Sequence, residues 1–170
     1  HKHLSMWNDL CAAHSFDSPA TVTGGASRWE SVKKAVDHIA GEATEDSIIM
    51  VHDGARPLVG NELIARVVSA AKHHTGVIPV IPVTDSLRLV NPDGTSTPAD
   101  RSLYRAVQTP QAFNGRLLAN AYNLPYRADF TDDASVMAAA GHHDIALVDG
   151  DPHNIKITLR DDLAIALLYL

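Results

Sequence analysis

Helical and extended patterns alternate through the first half of the chain. The spacing of apolar residues predicts helices over 28–39 and 61–73. Two apolar runs, at 47–51 and 76–82, have the length and β-branched content of buried strands. When helices connect successive strands, the crossovers are right-handed and the strands run parallel. The alternation therefore predicts an α/β fold with a mostly parallel sheet.

The run at 76–82 contains two prolines, Pro79 and Pro82. Proline has no N–H to give to a ladder, so within sheets it is found at edges or at bulges. We therefore expect this strand to lie at an edge of the sheet or to be interrupted by a bulge.

The pattern changes after Val83. Alternating residues from Leu87 to Val90 lead into the turn Asn91–Gly94, and a polar stretch follows. This pattern predicts a β-hairpin that projects from the sheet as an arm over about 83–106. A two-stranded ribbon is too small to bury itself, so we expect the arm to clasp a second subunit in a homodimer.

Length and composition limit the classes of function. The 170 residues correspond to one domain, spanning 1–170 with the arm as an insertion, and the formal net charge of -6 disfavours nucleic acid as a partner. No apolar run has membrane-spanning length, so no membrane contact is expected. The single cysteine, Cys11, suits a reducing compartment, and we expect a cytoplasmic protein.

A polar loop follows the strand predicted at 47–51. Asp53, Gly54 and Arg56 lie within four residues there, and ligands of open α/β sheets bind beyond the carboxyl ends of strands. An acid, a permissive glycine and an arginine can together hold a metal, sugar hydroxyls and a phosphate. The alternative is an ordinary turn in which Asp53 and Arg56 pair with each other or with backbone.

Three further segments carry weaker signals. Gly24-Gly25 precedes a helix whose Ser27 and Glu30 have capping-box spacing, which suits either a phosphate-binding helix start or simple capping. Thr131 is the expected N-cap of a helix that begins with two acids. Lys156 lies in an extended segment between two isoleucines and faces away from them, towards solvent by default or into a cleft.

The order and spacing of these motifs resemble those of one family, the 2-C-methyl-D-erythritol 4-phosphate cytidylyltransferases, over Leu4 to Leu170. The resemblance implies a Rossmann-like nucleotidyltransferase fold, a three-layer sandwich with a projecting β-arm that forms a homodimer. It also implies transfer of a cytidylyl group from CTP to 2-C-methyl-D-erythritol 4-phosphate in the non-mevalonate isoprenoid pathway. The matching motifs are GGASRxxSV, VHDGARP, PVTDS, DRSLYRAVQTPQAF, FTDDASV, and NIKIT followed by an acidic DDL helix.

The resemblance also implies residue roles. The nucleotide would contact Gly24, Gly25, Ala26, Ser31, Asp53 and Ala55. The acceptor would contact Arg56, Asp85, Ser86, Arg101, Thr109, Thr131 and Lys156. Asp53, Arg101 and Lys156 would form the catalytic group, with Asp53 beside a Mg²⁺ ion on the CTP phosphates. Because a phosphate monoester is already mostly ionised at neutral pH, Asp53 is given no general-base role.

The sequence departs from the family at two places. No glycine-rich AAGxGxRxG-like segment precedes Leu4, so we expect earlier residues to be missing, and a true fragment would lack transferase activity and expose a sheet edge prone to aggregation. Gly54 stands where alanine is more usual, which should loosen that loop.

Two alternatives stay open. A ribitol 5-phosphate cytidylyltransferase would differ only in its acceptor, and a non-catalytic dimeric nucleotide-binding module would follow from a missing N-terminal loop. The pairs His73-His74 and His142-His143 lack the spacing of zinc ligands, so no zinc site is expected.

Overall fold

A mixed sheet of five strands organises the chain, with helices on both faces. The computed structural model describes residues 3–170. The helices are α1 (Leu4–Ala13), α2 (Arg28–Ile39), α3 (Asn61–Ala71), α4 (Gly115–Ala121), α5 (Asp133–Ala139) and α6 (Asp162–Leu167). The strands are β1 (Ile48–Val51), β2 (Gly76–Pro82), β3 (Leu87–Val90), β4 (Ser96–Ala99), β5 (Arg105–Val107), β6 (Gln111–Asn114) and β7 (Ile145–Asp149).

Strand β2 is the centre of the sheet. It pairs in parallel with β7 along one edge, and its other edge pairs with β6 at Gly76–Val77 and with β5 at Val80–Pro82. β6 also pairs antiparallel with β1, so that β1, β2 and β7 all run in the same direction. The mostly parallel sheet expected from the alternation is wrong, because within the described residues β2–β7 is the one parallel pairing of the main sheet and the pairings made by β5 and β6 are antiparallel. β6 was not predicted, because four residues directly after Pro110 show no alternating pattern.

The edge position expected for 76–82 is wrong, since β2 pairs along both edges, and the expected irregularity is a break at 78–79 in its ladder with β6 and β5. Ile78 and Pro79 face the gap between β6 and β5, where no ladder N–H is required of Pro79. The carbonyl of Pro79 still accepts a hydrogen bond from Gln108 N at 2.8 Å. Pro82 ends the strand. The chain therefore places its prolines where the neighbouring strand is interrupted or finished.

Two separate apolar clusters fill the layers above and below the sheet, as the alternation of strand side chains requires. On one face α3 packs on β2 and β6 through Leu63, Val67, Ala71, Val77 and Ala112. On the other face α2, α4 and α5 pack on the same strands, with Val36, Ile78, Val80, Phe113, Leu118, Ala121, Tyr122, Val136 and Met137 buried. These layers are the predicted three-layer sandwich.

The arm is a two-stranded sheet of its own, formed by β3 and β4 paired antiparallel. Its turn contains Gly94 at φ +83°, a backbone conformation that glycine adopts without strain. The chain then returns to the main sheet through β5, so Arg105 and Ala106 belong to the sheet rather than to the arm.

The acidic DDL segment that follows NIKIT opens the last helix, α6, which is limited to Asp162–Leu167. Within residues 3–170, none of the helices combines the length and apolar character that a bilayer crossing requires.

Candidate active site

A cleft of about 270 Å³ lies beyond the carboxyl end of β1. Five segments meet there: the start of α2, the loop after β1, the junction between β5 and β6, the loop before α5 and the segment after β7. The lining residues are Arg28, Asp53, Arg56, Val107, Gln108, Thr109, Gln111, Thr131, Asp132 and Lys156.

Asp53 lies between two cations. Its Oδ2 is 2.9 Å from Lys156 Nζ and its Oδ1 is 3.3 Å from Arg28 Nε, with the side chain 16% exposed. Burial alone would raise the pKa of Asp53. The hydrogen bond from Lys156 and the charge of Arg28 outweigh burial, so the pKa of Asp53 is lowered and the group is a carboxylate at neutral pH.

Arg56 is held by backbone rather than by an acid. Its NH1 donates to the carbonyl of Asn154 at 2.7 Å and its NH2 to the carbonyl of Val107 at 3.5 Å. Burial lowers the pKa of Arg56, and the charge of Asp53 offsets this only in part. Asp53 and Arg56 form no side-chain pair within residues 3–170, but the backbone contacts of Arg56 and the hydrogen bond from its backbone N–H to the Asp53 carbonyl at 2.9 Å agree with the alternative interpretation as an ordinary turn. The Arg56 guanidinium keeps a positive charge that no carboxylate contacts directly among the described residues.

Lys156 lines the cleft while its side chain stays 44% exposed, so it faces both the cleft and solvent. The segment 154–157 is not a strand, but it is joined to the loop after β1 because Ile157 N donates to the Ala55 carbonyl at 2.8 Å. This contact brings the lysine beside Asp53. Ala55 therefore contributes to the site through its backbone carbonyl, which accepts this hydrogen bond.

A hydrogen-bonded ring fixes the loop after β1 against Thr109. The backbone N–H of Asp53 donates to Thr109 Oγ1 at 3.0 Å, and Thr109 Oγ1 lies 3.0 Å from His52 Nδ1. His52 Nε2 lies 2.9 Å from the Arg56 carbonyl, an acceptor, so Nε2 carries the proton. Asn154, fully buried, donates from Nδ2 to the Thr109 carbonyl at 2.8 Å. Thr109 is thus held on both its side chain and its backbone.

Asp132, not Thr131, caps α5. The Asp132 side chain accepts from Ser135 N at 2.9 Å, and the Ser135 hydroxyl accepts from Asp132 N, which completes a capping box. Gln111 donates to Asp132 Oδ2 at 2.9 Å and so joins this cap to β6. Thr131 is exposed and lines the cleft, as the site prediction requires.

A buried ion pair lies directly behind the cleft. Arg28 donates to both carboxylate oxygens of Asp133, at 3.2 and 2.7 Å, and the Tyr122 hydroxyl donates to the same carboxylate. Asp133 and Tyr122 are fully buried. Burial and the adjacent Asp133 raise the pKa of Tyr122, whereas for Arg28 burial is outweighed by Asp133 and Asp53, which raise the pKa.

Sequence reasoning gave no role to Arg28, Asp133 or Tyr122. Asp133 stands at the start of a helix, where the helix dipole already explains an acid, and Arg28 lies in a first turn whose pattern Ser27 and Glu30 already explain as capping. One signal was available in the sequence, because the GGASR and FTDDAS motifs each place a charged residue at the first position of a helix.

The segment Gly24–Ala26 lies outside the Asp53 cleft. Its expected outward N–H groups are already occupied, because Gly25 N donates to Ser31 Oγ at 2.9 Å and Ala26 N to Glu30 Oε2 at 2.7 Å. A Cβ on Gly25 would lie 2.4 Å from Glu30 Cγ, so this close approach requires glycine. Gly24 and Gly25 line a neighbouring groove of about 450 Å³ together with Trp7.

Three residues assigned to the acceptor lie at the base of the arm instead. Arg101 donates to the Thr84 carbonyl and lines a separate cavity with Arg105. Asp85 and Ser86 are exposed beside it. Within one subunit the fold therefore joins Asp53, Arg56, Thr109, Thr131 and Lys156, and it leaves Asp85, Ser86 and Arg101 apart from them.

The cleft does not contain a complete set of metal ligands. No group of three histidine, cysteine, aspartate or glutamate side chains suited to a metal occurs within 3–170. Asp53 offers carboxylate oxygens with unused lone pairs, although each already contacts a cation. Such a donor set suits Mg²⁺ that is bound mainly by substrate phosphates and one carboxylate, rather than a resident metal.

Comparisons with known proteins point to one family. Residues 4–170 match the family model described as IspD, 2-C-methyl-D-erythritol 4-phosphate cytidylyltransferase. The enzyme of that name from Phocaeicola vulgatus is 42% identical over 163 residues, which are 95% of this chain and 72% of the relative. The one from Porphyromonas gingivalis is 38% identical over 169 residues, 99% of this chain and 74% of the relative.

Solved structures support the same relationship. The crystal structure of 2-C-methyl-D-erythritol 4-phosphate cytidylyltransferase from Thermus thermophilus superposes with a TM-score of 0.72 at 33% identity, covering 90% of this chain and 76% of that one. A crystal structure of 4-diphosphocytidyl-2C-methyl-D-erythritol synthase gives a TM-score of 0.74 at 35% identity, covering 86% of this chain and 68% of that one. The chain therefore belongs to the 2-C-methyl-D-erythritol 4-phosphate cytidylyltransferase family.

Proposed function

We propose that this protein transfers a cytidylyl group from CTP to 2-C-methyl-D-erythritol 4-phosphate, giving 4-diphosphocytidyl-2-C-methyl-D-erythritol and diphosphate. The observation that carries the proposal is the convergence of Arg28, Arg56 and Lys156 around Asp53 in one cleft. Three cations around Asp53 suit a reaction between two phosphates. Family membership specifies which phosphates these are.

The chemistry joins two anions. An oxygen of the acceptor phosphate bonds to the α-phosphorus of CTP, the bond from that phosphorus to the β-phosphate bridging oxygen breaks, and diphosphate leaves with the electron pair. The attacking oxygen is already ionised at neutral pH, so no residue has to remove a proton. Asp53, whose pKa is lowered, holds Lys156 and Arg28 in place and is not the base. Catalysis comes from positioning and from cations that stabilise the charge on phosphorus oxygens.

We assign Lys156 and Arg56 to the acceptor phosphate. Both lie on the cleft, and Arg56 has no carboxylate partner to displace among residues 3–170. Thr131 borders the same space and offers an exposed hydroxyl to the substrate, whereas the Thr109 hydroxyl, bonded to Asp53 N and His52, supports the loop beside it. Gly24, Gly25, Ala26 and Ser31 are proposed for the nucleotide base and ribose, with Arg28 linking their helix to the cleft.

A homodimer through the β-arm would bring the remaining acceptor residues into use. Arg101, Asp85 and Ser86 lie at the base of the arm, away from Asp53 in the same subunit. We infer that they reach acceptor bound in the cleft of a second subunit, which the arm contacts in the cytoplasmic dimer. Arg101 would then supply a further cation to the acceptor phosphate.

Mg²⁺ would be held by Asp53 and the phosphates of CTP. It would supply neutralisation of the phosphate charge that builds up as diphosphate leaves. Asp53 then has two tasks, because the same carboxylate also positions Lys156.

The test is release of diphosphate from CTP and Mg²⁺, with 2-C-methyl-D-erythritol 4-phosphate and ribitol 5-phosphate compared in parallel. Turnover with the first acceptor alone is expected. Turnover with ribitol 5-phosphate alone would replace the acceptor in the proposal. Binding of CTP without turnover of either acceptor would favour a non-catalytic nucleotide-binding module.

A further inference from the structure

The contact between Arg28 and Asp133 controls where the Arg28 side chain points. Both terminal nitrogens of Arg28 bind the Asp133 carboxylate, at 3.2 and 2.7 Å. A guanidinium is planar and its N–H donors have fixed directions. The bidentate contact with Asp133 therefore fixes the guanidinium plane and the direction in which Nε–H points. That direction leads to Asp53 Oδ1, at 3.3 Å.

Asp133 is itself held from the core. Its side chain has no exposed surface, and it accepts a hydrogen bond from the buried Tyr122 hydroxyl at the end of α4. A buried carboxylate is stable only when it is paired and hydrogen-bonded, so Arg28 and Tyr122 are both required by it. The position of Arg28 is therefore fixed by three elements of the core: α2, α4 and α5.

Arg28 also determines which cations the two carboxylate oxygens of Asp53 contact. With Arg28 in place, Asp53 gives one oxygen to Arg28 and the other to Lys156. Without Arg28, Lys156 is the only cation in contact with Asp53 within the described part of the chain. The carboxylate would then be free to rotate and to draw the ammonium group fully onto itself.

We propose that Arg28 is a positioning residue for cytidylyl transfer. Asp133 and Tyr122 hold its guanidinium against Asp53, and Asp53, so fixed, holds Lys156 where it meets the incoming phosphate. This inference rests on the proposed function, because it concerns the same cleft. It differs in assigning the orientation of Lys156 to the pair that Arg28, on the cleft lining, forms with the buried Asp133 behind it.

The experiment must separate positioning from folding. Arg28→Met leaves Asp133 buried without its cation, which destabilises the protein strongly. The double variant Arg28→Met/Asp133→Asn removes both charges and keeps an acceptor for Tyr122, so the thermal midpoint should recover. Positioning of Asp53 is still lost in the double variant. We therefore expect its kcat/KM for the acceptor to stay about tenfold to a hundredfold below the unmodified protein.

Arg28→Lys provides a second measurement that does not depend on the double variant folding. The ammonium group of a lysine cannot bind Asp133 and Asp53 together as the guanidinium does. We therefore expect kcat/KM to fall by about tenfold. Arg116→Met is the matched control, since it breaks an exposed pair with Glu45 far from the cleft and should leave kcat/KM unchanged.

The outcomes are distinct. If either folded variant, Arg28→Lys or Arg28→Met/Asp133→Asn, keeps kcat/KM within about twofold of the unmodified protein, the positioning role is overturned and the ion pair is structural only. Absence of diphosphate release by the unmodified protein would instead overturn the proposed function.

Discussion

Asp53 holds the cleft together at the scale of single residues. Its two oxygens contact two different cations, one carried by α2 and the other by the segment after β7. An acid in such a position organises positive charge rather than supplying a base. The consequences of removing either partner follow from this arrangement.

Replacing Lys156 by methionine should impair the reaction far more than it impairs folding. The ammonium group is partly exposed and lies on the cleft, so its removal mainly weakens the stabilisation of charge in the transition state. We expect kcat/KM to fall by about 10²–10³-fold, the usual effect of removing one preorganised donor. Lys72→Met, an exposed lysine at the opposite end of the sheet, is the control for diphosphate release. Equal activity of the two variants would contradict the role given to Lys156.

The lowered pKa of Asp53 predicts a defined dependence of stability on pH. Because its native pKa lies below the ordinary value of 3.8, the ionised pair stabilises the fold fully above that value. The stabilisation is lost as the pH falls from 3.8 through the native pKa. The free energy of unfolding of the unmodified protein minus that of Asp53→Asn should therefore be constant near neutral pH and shrink below pH 3.8. Urea unfolding of both proteins at several pH values measures it, and a difference that grows on acidification would refute the assignment.

Some of the cleft could be predicted from local sequence, and some could not. Asp53 and Arg56 follow directly from a strand that ends in a polar loop, which is a local signal. The pairing of Arg28 with Asp133 joins residues 105 positions apart, and nothing local distinguishes it from helix capping. Lys156 could be predicted only in part. The sequence indicated its extended segment, but it did not indicate the hydrogen bond from Ile157 to Ala55 that brings the lysine beside Asp53.

At the scale of elements, the start of α2 determines the position of Arg28. Ser27 Oγ accepts the N–H of Glu30 at 3.1 Å, and Ser31 Oγ donates to the Ser27 carbonyl at 2.9 Å. The cap therefore fixes the first turn, in which the arginine lies. The helix bounds predicted from Ser27 and Glu30 agree with the structure, because capping is a local property.

Ser27→Ala should shorten or loosen that turn. Loss of an N-cap hydroxyl costs about 1 kcal/mol of stability. For a chain of this size that corresponds to a decrease in the thermal midpoint of about 2–4 °C. Calorimetry of the variant is compared with Ser102→Ala, an exposed serine near the arm. If the two midpoints fall equally, the hydroxyl of Ser27 is not the cap that stabilises α2.

The strand order illustrates what periodicity cannot predict. The positions of β1 and β2 were visible as apolar runs, but the pairing of β2 along both edges depends on β5, β6 and β7, which come from a distant part of the chain. The proline rule suggested an edge because it considers one strand by itself. The gap between β5 and β6, which accommodates Pro79, is a property of the assembled sheet.

At the scale of the whole molecule, the arm carries apolar side chains that the core does not bury. Leu89 is 63% exposed and Val90 70% exposed on a ribbon whose two strands pair with each other. In the proposed homodimer these side chains are covered by the partner. The arm would also carry Arg101 towards the second cleft, so dimerisation and acceptor use should be lost together.

Leu89→Asp should therefore dissociate the dimer. A charge placed in an apolar interface is costly to bury, so sedimentation velocity at micromolar protein should give the mass of one chain rather than two. The acceptor KM should rise in the same variant, because Arg101 no longer reaches the second cleft. Leu163→Asp, a change at an exposed leucine of α6, is the control. A dimer that survives Leu89→Asp with an unchanged KM would rule out the arm as the interface.

The end-to-end arrangement of β5 and β6 along β2 also restricts how the length of this chain can vary. β5 ends at Val107 and Thr109 follows two residues later, so the strand that leaves the arm runs directly into the cleft. A residue inserted between Arg105 and Gln108 would slip the register by one and turn Thr109 away from His52 and Asp53. Within the described residues, the turn at 91–94 is not followed closely by any residue of the cleft. Insertions and deletions in this part of the family should therefore accumulate at the tip of the arm and be excluded from its returning strand.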